Sequence, residues 1–251
     1  MESLMIDYAV ISIDDSRFYK KVWIRQRFIR TSEASIDFVN GKNPIELRKA
    51  KEKWHDVETP GPFKAGEFGI FYSVLNCLEY GAENNGIVYF EDDAMPCSDF
   101  EKRTEDYLEA LPKGADLFAL WSPANQQGDY MGVSGFNTGG EPSYEPHQGS
   151  IFDFGHEELT GLWQGYGNVG MAFTKQGSRK ALDYIKRRGF FSPIDCLLCI
   201  ASHTGELNAY SLKPGVRNLI DYDWEVPTTI HKSRWGSIEE LTKENGELIS
   251  E

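Results

Sequence analysis

Residues 86–93 read GIVYFEDD, a short uncharged run that passes directly into three consecutive acids. A run of this length, rich in β-branched and aromatic residues, predicts a buried strand. Glu91, Asp92 and Asp93 are therefore expected where that strand ends. In open α/β sheets, ligands bind beyond the carboxyl ends of the strands. The three acids are thus the first candidates for a functional site.

The segments on either side predict helices. Apolar residues at 68, 71, 74, 75 and 78 form a helical stripe over 67–80, with Gly81 expected to end that helix. Residues 100–111 predict the next helix. Further strands are predicted over 4–13, 35–39, 116–121, 169–174 and 207–212, and further helices over 44–54, 176–188 and 193–202. Alternation of strands with helices indicates an α/β fold with a mainly parallel central sheet flanked by helices.

The amino-acid composition excludes some classes of protein and disfavours others. The chain has 251 residues, of which 40% are hydrophobic, so it can bury a sizeable core and is not a disordered chain. Its net charge of −13 disfavours binding to nucleic acid, which depends on cations that neutralise phosphates, although a local basic groove stays open. We predict one domain over residues 1–236 and an acidic C-terminal helix or tail over 237–251.

Targeting and cysteine signals are weak. No apolar run approaches the roughly 18 residues of a membrane span, and the N-terminus lacks the basic and apolar regions of a signal peptide. Four cysteines are too few for a disulfide scaffold. Cys196 and Cys199 have the spacing of half a zinc site but lack a second pair, which favours two thiols on one helix. We therefore expect a cytoplasmic protein without a membrane span.

The three acids suggest a cation site. Adjacent carboxylates repel each other, and a hard cation such as Mn²⁺ or Mg²⁺ relieves that repulsion. Such an ion could hold a diphosphate. The alternative is an acidic turn in which Asp93 caps the helix that follows. Both interpretations fit the residues.

Three patterns follow one another in the chain. They are Gly66-Glu67-Phe68-Gly69 through Ser73, Ile87-Val88-Tyr89-Phe90-Glu91-Asp92-Asp93-Ala94, and Gly165-Tyr166-Gly167 through Phe173-Thr174 followed by Pro193-Ile194-Asp195. In order and rough spacing they resemble the motifs of glycosyltransferase family 25, which includes lipopolysaccharide glycosyltransferases and collagen galactosyltransferases. The resemblance spans about residues 5–235. Ile70 and Val74 stand where that family has Cys and His, which leaves the acceptor open.

The resemblance implies a GT-A-like fold and a metal-dependent transfer of a sugar from a nucleotide-sugar donor, a UDP-sugar being favoured, with inversion. A glycan is the expected acceptor, with a protein hydroxyl or a modified nucleobase in DNA as alternatives. It also implies site residues. The expected cation ligands are Asp92, Asp93 and His231, and the expected nucleotide-binding residues are Ser12, Arg17, Glu91, Asp92 and Lys232.

Two further groups are expected to act on the acceptor. The resemblance makes Asp195 the general base, with Asp153, Glu157 or Glu158 as substitutes. Its alternative is an ordinary acid in the first turn of a helix. Acceptor binding is expected from the residues that precede a Gly-rich strand, Trp163, Gln164 and Tyr166. The alternative for these three residues is core packing. For the segment around His231, the alternative is a solvated basic patch on the surface.

Other functions fit the same sequence. A sugar- or nucleotide-binding protein without catalysis would keep the acids, and so would a Mg²⁺-dependent nucleotidyl transferase. The glycine-rich segment 122–150 is too long for an ordinary loop and predicts a lid that orders when ligands bind. Donor turnover separates the three, because only a glycosyltransferase releases nucleoside diphosphate.

Overall fold

The computed structural model describes residues 6–12, 33–121, 157–161, 170–213, 216–222 and 235–242. Their strands are β1 (Tyr8–Ile11), β2 (Phe63–Lys64), β3 (Gly86–Glu91), β4 (Ala94–Pro96), β5 (Leu117–Ala119), β6 (Leu159–Gly161), β7 (Gly170–Thr174), β8 (Ala209–Leu212), β9 (Ile220–Tyr222) and β10 (Trp235–Gly236). Their helices are α1 (Pro44–Lys53), α2 (Ala65–Glu83), α3 (Phe100–Ala110), α4 (Lys175–Arg188), α5 (Ile194–His203) and α6 (Ile238–Leu241).

A mixed sheet forms the centre, with the strand order β1-β3-β7-β5-β8-β6. Strands β1, β3, β5 and β8 run in one direction, and β6 and β7 run against them. The predicted α/β fold with a mainly parallel sheet and flanking helices is confirmed. We call the edge at which β1, β3, β5 and β8 end the carboxyl edge, and the opposite one the amino edge.

Side chains alternate between the two faces of β3, as a pleated strand requires. Ile87 and Tyr89 are buried in one core cluster together with Met171, and the helices α2, α4 and α5 contribute to that cluster. Val88 and Phe90 are buried in a second cluster, to which α3 contributes. The central strand is therefore covered on both faces, which explains its uninterrupted apolar sequence.

Helix α2 is longer than the sequence predicts. At its N-terminus the side chain of Glu67, the third helical residue, accepts a hydrogen bond of 2.7 Å from the Lys64 amide. The expectation that Gly81 ends the helix is wrong, because α2 continues to Glu83. A Cβ at Gly81 would meet the Ser178 hydroxyl of α4. Glycine is needed there for close helix packing.

The predicted strand over 35–39 is also wrong. Its backbone groups find partners in side chains of α2: the Val39 amide donates to Ser73 Oγ at 2.9 Å, and the Asp37 carbonyl accepts from Asn76 Nδ2 at 2.8 Å. A buried backbone must satisfy its polar groups, and side chains serve here in place of a neighbouring strand.

Polar contacts hold the amino edge together. Lys175 Nζ donates to the Glu83 carbonyl at 3.0 Å, and Arg179 Nε donates to the Ala82 carbonyl at 3.1 Å. These cations of α4 satisfy carbonyls at the end of α2 that lack helical partners. Nearby, the fully buried Asp116 accepts from Lys180 Nζ at 2.7 Å.

The chain returns to the carboxyl edge near its C-terminus. β10 pairs with β2, which directly precedes α2, and Ile238 and Leu241 of α6 join the core cluster of α2. The domain boundary at 236 stays a prediction, and the segment 122–150 lies outside the described residues. Within the described ranges, every helix is too short or too polar to cross a bilayer.

Candidate active site

The acids lie at the carboxyl edge, as expected. Ile11 of β1 is the register partner of Glu91 in the parallel pair with β3. Ser12 and Asp92, the next residue of each strand, therefore leave the sheet at the same level. On the other side of β3, Gly170 pairs with Phe90, so β7 begins at this edge. The half-buried Ser12 is thus placed beside the acids, and its contact with a nucleotide stays a prediction.

The connection between β3 and β4 consists of Asp92 and Asp93. Asp92 is 5% exposed, and Glu91 and Asp93 are half-buried. The alternative in which Asp93 caps a helix is wrong, because the next element is the strand β4 and the next helix has Asp99 at its N-cap. Because Glu91, Asp92 and Asp93 are all at least partly buried, this segment is not an exposed acidic turn.

A cation would find oxygen ligands here but not a complete protein cage. Within the described residues, no group of three or more His, Cys, Asp or Glu side chains is placed to hold a metal ion. Mg²⁺ needs no such cage, since it is usually bound by one or two carboxylates together with substrate phosphates and water. Asp92 and Asp93 fit that mode.

Both described ends of the segment around His231 adjoin this region. Tyr222 of β9 pairs with Ala94, the residue after Asp93. Trp235 of β10 pairs with Lys64 at the beginning of α2. Tyr222 therefore lies beside the acids and Trp235 at the carboxyl edge, while residues 223–234, with His231 and Lys232, lie outside the described residues.

Asp195 reaches the same edge by a different route. β7 ends at the amino edge, where the Thr174 amide donates to the Asp116 carbonyl. Helix α4 then runs back for 14 residues, about 21 Å, which exceeds the roughly 16 Å of the five-residue β7. α5 consequently begins at the carboxyl edge, with the half-buried Asp195 in its first turn, where Oδ1 accepts from the Cys196 amide at 2.8 Å.

Tyr89 connects Asp195 with the acids. Its ring is fully buried, and its hydroxyl donates to Met171 Sδ at 3.3 Å. Burial raises the pKa of this hydroxyl well above its ordinary value, and the negative charges of Glu91 and Asp195 raise the pKa further. Both carboxylates therefore act on one hydroxyl, and Glu91 shares the face of β3 with Tyr89. Tyr89 is not among the predicted site residues, because its place two residues before Glu91 indicates a shared strand face but not the proximity of Asp195.

The two thiols of α5 surround Asp195. Cys196 and Cys199 are half-buried and form no disulfide. Burial, followed by the charge of Asp195, raises the pKa of Cys196 to about 12 and that of Cys199 to about 11. Such thiols are poor metal ligands at neutral pH because the thiolate is the binding form. The interpretation as two thiols on one helix is confirmed.

The substitute base Glu158 lies elsewhere. It directly precedes β6 and accepts a hydrogen bond of 2.7 Å from the Tyr107 hydroxyl. β6 is four strands from β3 in the sheet, which corresponds to about 19 Å. Glu158 and the adjacent Glu157 are therefore remote from the acids, and Asp153 lies outside the described residues.

The motif at the start of α2 serves packing. Ser73 is fully buried, and its hydroxyl donates to the Gly69 carbonyl at 2.8 Å. A Cβ on Gly69 would lie 2.6 Å from the Gly41 amide nitrogen. Val74 is fully buried and Ile70 packs against the same core, so the two departures from the family pattern are core positions. The remaining predicted site residues lie outside the described part of the chain, namely Arg17, Trp163, Gln164 and Tyr166.

Comparison with known proteins gives little further guidance. No protein-family model matches the chain, and no curated protein matches its sequence. A solved structure to which it is similar is the apo form of mouse xyloside xylosyltransferase 1, with 15% sequence identity over 82% of this chain and 72% of that chain, and a TM-score of 0.40. So remote a likeness carries no argument about activity. The resemblance to glycosyltransferase family 25 stays a prediction.

Proposed function

We propose that this chain is a metal-dependent glycosyltransferase with a GT-A-like domain. It moves a sugar from a nucleotide-sugar donor to an acceptor hydroxyl. The observation that carries the proposal is the meeting of two separate acidic elements at the carboxyl edge. Glu91 ends β3, Asp92 and Asp93 form the connection that follows, and Asp195 lies in the first turn of α5. The charges of Glu91 and Asp195 both raise the pKa of the buried Tyr89 hydroxyl. Such an edge is where open α/β sheets bind their ligands.

The acids after β3 form the donor side of the proposed site. Asp93 and Asp92 would hold Mn²⁺ or Mg²⁺, joined by His231, and Glu91, Ser12, Arg17 and Lys232 would bind the nucleotide. The chemistry that the cation supplies when bound is neutralisation of the charge that develops on the departing diphosphate. Ser12 and Asp92 leave neighbouring strands at one level, which suits two contacts to a single nucleotide.

Asp195 forms the acceptor side. Its carboxylate takes the proton of the acceptor hydroxyl while that oxygen bonds to the anomeric carbon and the bond to the diphosphate breaks on the opposite face. This displacement inverts the anomeric centre. The proton on Asp195 then returns to solvent, to which the half-buried side chain has access. Trp163, Gln164 and Tyr166 precede β7, which begins at the same edge, and we propose that they contact the acceptor.

A thermal-shift screen tests the donor side directly. UDP-, GDP- and CMP-sugars are added with and without Mn²⁺, because a ligand that binds only the folded state raises the melting temperature. We expect one nucleotide-sugar to raise it, and only with the cation. Release of UDP or GDP, or of CMP from a CMP-sugar, then indicates a transferase. Release of pyrophosphate from an added nucleoside triphosphate indicates a nucleotidyl transferase, and binding without either release indicates a binding protein. A screen in which no nucleotide-sugar shifts the melting temperature contradicts the proposal.

A further inference from the structure

Phe191 presents an aromatic ring to solvent in the segment that leads into α5. Within the described ranges, the large hydrophobic side chains that are exposed are Ile45 at 59% and Phe191 at 40%. A solitary exposed apolar residue is common on protein surfaces and needs no explanation by itself. Phe191 differs from Ile45 in its place, since it comes four residues before Asp195 in the segment that leads into α5.

The neighbouring residue anchors this segment. Phe190 is fully buried, and its ring centroid lies 3.9 Å from that of Phe71 and 4.1 Å from that of Phe63. The Phe190 amide donates to the Glu58 carbonyl at 2.6 Å. With Phe190 held inside the core by its ring and its backbone, the next side chain is directed to the surface.

The backbone around Phe191 is restricted on both sides. Gly189 has a φ of +74°, and a Cβ there would lie 2.8 Å from the Glu58 carbonyl oxygen, so only glycine suits this turn. Pro193 restricts the conformation of Ser192. The Arg188 guanidinium carbon lies 5.8 Å from the Phe191 ring centroid, within the range of a cation–π contact. The exposed ring is thus held in place before any ligand arrives.

The path of the chain places Phe191 at the carboxyl edge. The 189–193 segment joins the end of α4 to the beginning of α5, and both of these lie at that edge. The Cα atoms of Phe191 and Asp195 can be at most about 14 Å apart, because a chain extends by no more than 3.3–3.6 Å per residue. That distance is within the span of a short oligosaccharide.

We propose that Phe191 is an acceptor-binding platform, on which the apolar face of a sugar ring stacks while a hydroxyl of a linked sugar reaches Asp195. This inference rests on the proposed function and adds to it that the acceptor is an oligosaccharide longer than one ring. A rigid aromatic ring contributes contact area at a low cost in conformational entropy. Its exposed face offers the apolar surface that the C–H groups of a sugar ring match, and the Arg188 guanidinium beside it can donate hydrogen bonds to ring hydroxyls.

A glycan array and a thermal shift test the inference together. The unmodified protein, Phe191→Ala, Phe191→Trp and the control Ile45→Ala are applied to the array. In parallel, the melting temperature of each is measured with UDP-sugars and Mn²⁺. We expect the unmodified protein to bind an oligosaccharide, and Phe191→Ala to weaken that binding roughly tenfold. Phe191→Trp and Ile45→Ala should retain it, and all four proteins should show the same donor-induced shift.

Each of the other outcomes contradicts the proposed role of Phe191 in acceptor binding. Equal glycan binding by Phe191→Ala and the unmodified protein shows that the ring is not used. A donor-induced shift without binding to any glycan leaves the proposed transferase intact but shows that its acceptor is not an oligosaccharide. Absence of both responses overturns the platform and the proposed function together. Because Phe191 is exposed, the alanine variant is expected to fold, which its melting temperature without ligands verifies.

Discussion

Ile11 and Glu91 are register partners in the parallel pair of β1 and β3. The chain therefore leaves two neighbouring strands at one level, and it does so at the edge where α5 begins, with Asp195 in its first turn. A single location thus combines the acids of a proposed donor site with a separate carboxylate. The proposed division of roles between Asp93 and Asp195 can be tested one residue at a time.

Replacement of Asp195 by Asn should separate binding from transfer. The amide keeps the shape of the side chain but cannot accept the proton of the acceptor hydroxyl. We expect transfer to fall by roughly 10²–10⁴-fold, with donor affinity unchanged within a few-fold. The measurement is the initial rate of transfer beside the donor-induced thermal shift. Asp183→Asn, an exposed position on α4, is the control. Normal transfer by Asp195→Asn would leave that residue a structural role only.

Removal of the cation or of its main ligand should affect the donor itself. Excess chelator is expected to abolish the donor-induced rise in melting temperature, and added Mn²⁺ or Mg²⁺ to restore it. Asp93→Asn should need a higher cation concentration for the same rise, whereas the exposed Asp106→Asn on α3 should behave like the unmodified protein. Full donor turnover in excess chelator would rule out a role for the metal.

The thiols of α5 report on Asp195 without any substrate. The pKa values of Cys196 and Cys199, about 12 and about 11, leave little thiolate at pH 8, so alkylation by iodoacetamide should be slower than that of free cysteine. Asp195→Asn removes a negative charge that raises both values, and should therefore accelerate alkylation several-fold. Peptide mass spectrometry over time measures the two rates. An unchanged rate would contradict an effect of the Asp195 charge on the two thiols.

The hydrogen bonds that Asp116 accepts at the amino edge should stabilise the folded protein. Asp116 is fully buried and accepts hydrogen bonds from Lys180 Nζ and, at 2.9 Å, from the Asn208 amide. Asp116→Ala leaves these donors without their acceptor, and we expect it to cost about 2–4 kcal/mol of the free energy of unfolding. The exposed pair of Lys186 and Asp56 is the contrast, and Lys186→Ala should change that free energy by no more than about 0.5 kcal/mol. Urea unfolding compares the two.

Substitution of Gly69 in α2 by alanine should change the stability of the protein in the opposite direction to the usual effect of this substitution in a helix. Glycine to alanine inside a helix ordinarily stabilises by about 1 kcal/mol. At Gly69, however, a Cβ would lie 2.6 Å from the Gly41 nitrogen and 2.7 Å from the Val39 carbonyl oxygen. We expect Gly69→Ala to destabilise by about 1–3 kcal/mol. Gly205→Ala should cost only about 1 kcal/mol, because its φ is +76° but nothing lies within 4 Å. A stabilised Gly69→Ala would contradict the close backbone approach.

The sequence predicts those strands and helices whose pattern of apolar residues is visible within the element itself. The apolar run of β3 and the helical stripe of α2 depend on residues near in sequence, so both were predicted, and the acids were correctly expected at the carboxyl edge. Partners distant in sequence were not predictable. The 35–39 segment has strand-like composition, yet its backbone bonds to Ser73 and Asn76. Likewise, Gly81 has the sequence signal of a helix end, whereas in the fold it is a position inside α2 against which Ser178 packs.

The site shows the same division between local and distant information. Glu91, Asp92 and Asp93 could be selected because they follow a strand directly. The role of Tyr89 could not, because it depends on Asp195, which is more than a hundred residues later in the chain. The direction of β7 cannot be predicted from its own residues either, and it decides that the beginning of this strand, rather than its end, lies at the edge of the acids.

The central place of β7 also has a consequence for synthesis of the chain on the ribosome. β3 and β5 each pair with β7 and not with each other. At roughly 5–20 residues per second, the chain from Ala119 to Thr174 takes several seconds to make. During that time the facing edges of β3 and β5 have no strand between them, and such edges can pair with other nascent chains. Slow translation across this interval should therefore increase co-translational aggregation, whereas a pause after Thr174 should not.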